Sequence, residues 1–179
     1  MTSWEFEKSQ ILGSDGDTLE VHFDSAINFS DVQSFAIYMS ASLDQSASAQ
    51  DAGLRIGTGG SVINSGDYEA YGIIIQDGGQ ALLNTSYGET AWRTENSNFG
   101  GTWINLMYLT MNPLTDFPQM VMTVASDNRQ SPDASREMAM MSCGGFLNST
   151  LTSLQDIEVY TGNDFLEGSR IYVYKVLST

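Results

Sequence analysis

Gly168-Ser169-Arg170-Ile171-Tyr172-Val173-Tyr174-Lys175-Val176 is the stretch that decides the fold class of this chain. Its side chains alternate with the two-residue period of a strand, and it stops within a few residues of the last position. Its counterpart is Trp4-Glu5-Phe6-Glu7-Lys8, a second alternating run that begins almost at the first residue. A chain that opens and closes in strands is expected to form one closed β domain over residues 1–179.

The runs between the two ends keep the same period. Strands are predicted at 4–12, 18–24, 33–40, 53–58, 70–76, 80–86, 102–111, 118–126, 136–143, 153–161 and 168–177. In Thr18-Leu19-Glu20-Val21-His22-Phe23, the residues Leu19, Val21 and Phe23 share one face while Glu20 and His22 share the other. Phe117-Pro118-Gln119-Met120-Val121-Met122-Thr123-Val124 is denser in apolar residues. It predicts a strand covered on both faces, or one with a face against a neighbouring subunit. Seventeen glycines against three prolines suit many tight turns between short strands. Asp77-Gly78 is placed to close a hairpin. Residues 44–50 and 126–135 read as surface loops, and 42–52 as a possible short helical turn. No stretch holds a sustained 3.6-residue period. The expected fold is all-β, an antiparallel β-sandwich of jelly-roll-like form.

Charge is the compositional outlier. Asp and Glu number 22 against 7 Lys and Arg, a formal net charge of −15, and Lys8 and Lys175 are the only lysines. A surface of that sign repels phosphate backbones, so nucleic acid is excluded as a partner. It suits a basic docking partner or bound cations. No apolar run is long enough to cross a bilayer, and no membrane partner is expected. The first residues lack a basic segment followed by an apolar one, so synthesis and folding in a cytoplasm are expected. Cys143 is the single cysteine, in Met140-Met141-Ser142-Cys143-Gly144-Gly145, and reads as a small buried hydrophobe.

The two ends resemble a family of β-sandwich surface proteins of tailed-phage virions, of the decoration and fibre type. The matching residues are Trp4-Glu5-Phe6, then Thr18-Leu19-Glu20-Val21-His22-Phe23-Asp24, then Phe35-Ala36-Ile37-Tyr38-Met39. Leu54-Arg55-Ile56-Gly57, Tyr68-Glu69-Ala70-Tyr71 and Gly168-Ser169-Arg170-Ile171-Tyr172-Val173-Tyr174 follow. Lys175 departs from the glycine usual at that place, and residues 85–150 match poorly. The resemblance implies a virion structural role and a homotrimer.

Catalytic readings fare less well. His22 is the only histidine, which leaves hydrolase triads and multi-histidine metal sites incomplete. It is expected to be a surface residue or a subunit contact. Glu89 and Glu95 flank Trp92, an arrangement a glycosidase could use, but adjacency of acids is cheap in so acidic a chain, and no enzyme is expected. Tyr87, Trp92 and Trp103 are the candidate platform for stacking on sugar rings, with core packing the default for each. Asp15, Asp17 and Glu20 offer oxygen ligands of the kind Ca²⁺ takes. Their spacing does not complete an EF-hand loop, so a solvated turn and no cofactor are expected. Met107, Met111, Met120, Met122, Met138, Met140 and Met141 crowd the central third, and the first six of them are the candidate subunit or capsid interface.

The expected function is that of a non-enzymatic phage virion protein on the particle surface. Capsid decoration (cement) is favoured, with the major capsid protein or other virion proteins as partners. The alternative is a tail fibre or fibre-tip protein that recognises host glycans through loops 44–50 or 126–135.

Overall fold

The computed structural model describes residues 2–43, 52–76, 79–89, 91–93, 101–112, 114–115, 117–128 and 137–178. Twelve strands occur among them: β1 (Thr2–Ile11), β2 (Gly16–Asn28), β3 (Ser34–Ser42), β4 (Ala52–Gly57), β5 (Tyr68–Gln76), β6 (Gly79–Glu89), β7 (Trp92–Arg93), β8 (Gly101–Met111), β9 (Pro118–Asn128), β10 (Glu137–Leu147), β11 (Ser153–Phe165) and β12 (Arg170–Ser178). All pairings are antiparallel. One sheet has eight strands in the order β1-β12-β3-β8-β9-β10-β5-β6, and the other has four in the order β2-β11-β4-β7. Near both ends the chain passes back and forth between the sheets, whereas β8, β9 and β10 form a meander within the larger one. The fold is an antiparallel β-sandwich, as the alternation predicts.

The eleven predicted strands all appear, with ends displaced by a few residues. β7 was not foreseen, because two residues are too few to show a period, and neither was the 3₁₀ turn Phe29–Asp31. β5 and β6 pair from Gln76↔Gly79 outward, which makes them the predicted hairpin. The turn residues Asp77 and Gly78 themselves lie outside the described residues, as do the expected loop and helical turn over 44–51. β9 continues to Asn128, so the expected loop at 126–135 starts later than predicted, and residues 129–136 lie outside the described set.

Both sheets turn alternate residues inward. Leu19, Val21 and Phe23 of β2 and Ile157 and Val159 of β11 meet Phe35, Ile37 and Met39 of β3, Met107 and Leu109 of β8, and Ile171 and Val173 of β12 in one apolar core. Full burial of each such side chain contributes roughly 1.5–3 kcal/mol.

The terminal Gly-Ser element is explained by the turn between β11 and β12. Gly168 sits at φ 86°, in the left-handed region, so β12 begins at Arg170 rather than at 168. Ser169 is buried, and its Oγ accepts the Ser42 N–H at 3.1 Å. Lys175 reaches across to β1, with Nζ 3.0 Å from Glu7 Oε2 and 3.8 Å from Glu5 Oε2. The hydrogen bond to Glu7 holds its ammonium above the usual lysine range. The stabilisation from that pair is complete below the ordinary lysine pKa and is lost as pH rises through the raised value.

Tyr68 ties the sheets together at the far side. Its Oη accepts the Ile56 N–H at 3.0 Å and lies 2.9 Å from Ile63 O, to which it donates. Tyr68→Phe leaves a buried β4 donor without its acceptor and should lower unfolding free energy by about 1–3 kcal/mol. A urea midpoint equal to wild type would show that the hydroxyl contributes nothing.

Candidate functional site

The two outer faces of the sandwich differ in chemistry. On the four-stranded sheet, the residues between the core positions are Glu20, His22 and Asp24 of β2, Asp156, Glu158 and Tyr160 of β11, and Arg55 of β4. His22 Nδ1 lies 2.6 Å from Asp156 Oδ1, and the Gly60 N–H donates to Asp156 Oδ2 at 3.0 Å. Arg55 pairs with Glu158 at 2.9 Å and stacks 3.8 Å above the Tyr160 ring. His22 and Asp156 border a cavity of about 260 Å³ together with Glu20, Ser61 and Glu158. The histidine was expected on the surface and is exposed there. Its partner, 134 residues away in sequence, was not foreseen because only the β2–β11 register brings the two together. The Gly60 bond makes this pair an anchor for the turn after β4.

The eight-stranded sheet presents the opposite surface. Phe6, Tyr174, Ala36, Tyr108, Val121, Gly144 and Tyr71 lie side by side across β1, β12, β3, β8, β9, β10 and β5. The next row on the same face is Ser9, Tyr172, Tyr38, Leu106, Thr123, Ser142 and Ile73. A third runs Ile11, Arg170, Ser40, Ile104, Ala125 and Met140. The fourth holds Trp4 and Val176 at one end and Gln119, Phe146 and Glu69 at the other. Among these residues only Arg170 and Glu69 carry charge.

Of the ten large hydrophobic side chains exposed among the described residues, nine stand on this face, including Trp4 (49%), Phe6 (57%), Val121 (60%) and Met140 (51%). Trp4 packs edge-on to Tyr108 at 6.0 Å, and Tyr174 contacts both Trp4 (5.9 Å) and Phe6 (5.7 Å). An antiparallel sheet face open to water is normally polar, and monomers rarely expose a contiguous apolar patch of this breadth.

Several predicted site residues are placed elsewhere. Met107, Met120 and Met122 are fully buried core residues, Met141 is buried beside them, and Met111 packs partly buried against the same core. Their strands expose the alternate positions, so these methionines serve packing rather than contact. Met140 alone of the candidates is exposed, and the side chain of Met138 lies outside the described residues. β9 is likewise covered on one face only, with Val121 open to solvent.

Trp92 is no sugar platform. The β7–β4 pairing turns its indole inward, fully buried, 5.0 Å from Tyr68 in an edge-on contact, and its Nε1–H donates to Phe146 O at 3.2 Å. Gly145 makes room for it, since a Cβ there would strike the indole and the Glu69 carbonyl. The side chains of Tyr87, Trp103 and Glu89, and the whole of Glu95, lie outside the described residues.

Asp15 Oδ1 accepts the Glu167 N–H at 2.8 Å, and among the described residues no three acidic, histidine or cysteine side chains converge as metal ligands. Cys143 is buried as expected, and burial pushes its thiol up to about 12.

No protein-family model matches this chain, and no curated protein matches it. Among solved structures it is similar to a peanut lectin solved with a nine-residue peptide, at 9% identity and a TM-score of 0.34, covering 99% of this chain and 93% of the lectin. It is also similar to a structure of infectious bursal disease virus, Gx strain, at 10% identity and a TM-score of 0.15, covering 98% of this chain and 39% of that one. Neither likeness adds to what the strand pairing shows of the fold.

Two outcomes follow from this placement. Met122→Ala should cost about 2–5 kcal/mol of stability, whereas Met140→Ala should stay within about 0.5 kcal/mol of wild type. Similar losses for the two in chemical denaturation would contradict the assignment of core and face. Cys143 should resist a thiol reagent at pH 8 in the folded protein and react fully in denaturant, and fast labelling of the native chain would contradict its burial.

Proposed function

We propose that this protein is a non-enzymatic structural protein of a tailed-phage virion, acting as a decoration (cement) protein on the capsid surface. The observation that carries the reading is the outer face of the eight-stranded sheet, aromatic and aliphatic with only Arg170 and Glu69 charged among the residues of its four described rows, in a chain of net charge −15. A chain that keeps its acids off one broad face is built for that face to be covered by protein. Trp4, Phe6, Tyr38, Tyr71 and Tyr174, which belong to the resemblance with phage surface proteins, all stand on it. Buried contact would add stability at lattice symmetry points, and the charged four-stranded face would remain toward solvent, keeping particles mutually repulsive.

Purified protein mixed with undecorated capsids is expected to bind saturably at a fixed ratio to the major capsid protein, and to leave host cells unbound. Attachment to host cells without attachment to capsids would overturn decoration and assign the chain to the tail tip as a receptor binder.

A further inference from the structure

We propose that the outer face of the eight-stranded sheet closes on the same face of a second copy, giving a twofold homodimer. This goes beyond the decoration reading and does not rest on it, because a face closed on a second copy is not free for the capsid, whose contact would then fall to other surfaces of the dimer. Three features point to a second copy as the occupant. The first is charge: two molecules of net charge −15 repel over most of their surfaces, and this face is where they can meet without bringing acids together. The second is area. From β1 to β5, and from the row of Trp4 to the row of Met140, the face measures roughly 29 by 20 Å, so two copies crossed near a right angle cover roughly 20 by 20 Å of each other, on the order of 400 Å² per partner before the rim is counted, within the small class of interfaces. A standard interface uses roughly 800 Å² per partner.

The third is self-complementarity. Among the described side chains of these four rows, the two that carry charge are opposite in sign and sit near diagonal corners, Arg170 on β12 and Glu69 on β5. They are separated by five strand spacings and six residues along the strand direction. A twofold axis in the plane of the interface, set obliquely between β8 and β9, lays Arg170 of each copy over Glu69 of the other and does so twice. By strand spacings, that axis makes the strands of the two copies cross at roughly 80°, the orthogonal class of sheet packing. Tyr108, Thr123 and Met140 fall on the axis, where each meets its own counterpart.

The test starts from the mass of the full chain in solution by sedimentation, expected at twice 19.5 kDa. Val121→Lys should give a monomer whose urea midpoint equals that of the wild type diluted until it too is monomeric, because Val121 is exposed in the single chain. Arg170→Glu and Glu69→Arg should each weaken the dimer about tenfold, and the two together should restore it, since reversing both charges recreates both pairs. Met140→Cys should be captured as a covalent dimer by a short bismaleimide, while Glu20→Cys on the opposite sheet should not. A wild-type monomer or trimer overturns the pairing, and so does failure of the double reversal to rescue. If the wild type is monomeric and Val121→Lys abolishes capsid binding, the occupant is the capsid protein instead. An intact dimer that binds no capsid leaves the pairing standing and removes the decoration reading.

Discussion

The indole of Trp92 enters the space between the sheets, edge-on to Tyr68 and over Gly145, and its N–H is satisfied by the Phe146 carbonyl. The smaller sheet has only four strands against eight, so the β10–β5 side of the larger one must be tied to it at β4 and β7. Tyr68 supplies the second part of that tie through its hydroxyl, bound to Ile56 of β4 and to Ile63 in the turn that follows. Met141, Cys143 and Leu147 of β10 belong to the same buried core as the indole, beneath the meander that builds the outer face.

A rigid sandwich then sorts the residues left over. Inward positions are apolar on both sheets. Among the described side chains, outward positions are charged on β2, β11 and β4 but, Arg170 and Gln119 apart, small, hydroxylic, aromatic or aliphatic on β1, β12, β3, β8, β9 and β10. Antiparallel sheets with one solvated face ordinarily alternate apolar with polar, and the smaller sheet obeys that rule. The larger sheet departs from it, at the cost of solvating Trp4, Phe6 and Val121 in an isolated chain. Exposed apolar patches of this breadth ordinarily mark interaction sites, which is why the proposed function rests on this face rather than on the His22–Asp156 pair. That pair is committed to holding the turn at Gly60.

Much of the fold was legible in the sequence because alternation is a local signal. Leu19, Val21 and Phe23 declare their shared face without reference to any other strand. β7 escaped notice for the same reason, since Trp92 and Arg93 are too few to alternate. The candidate site was legible only in part. Methionine composition pointed to the right region of the chain but not to the right side of its strands. In Met120-Val121-Met122 the exposed residue is the valine, and a run of three apolar residues gives no hint of which face is covered. Trp92 carried sugar-platform and core readings alike until its burial against Tyr68 settled the matter.

The order of hydrophobic and polar residues was enough by itself to determine that this chain forms antiparallel strands with tight turns, that it is strongly acidic and that its one cysteine is a packing residue. Those properties depend on side chains within a few positions of one another or on simple sums. Only the tertiary structure decided that β1, β12, β3, β8, β9, β10 and β5 lie adjacent, and so that Phe6, Tyr174, Tyr108, Val121 and Tyr71 form one surface. Strand order and register are set by which combination of distant segments buries the common core. No local pattern in the chain encodes that choice.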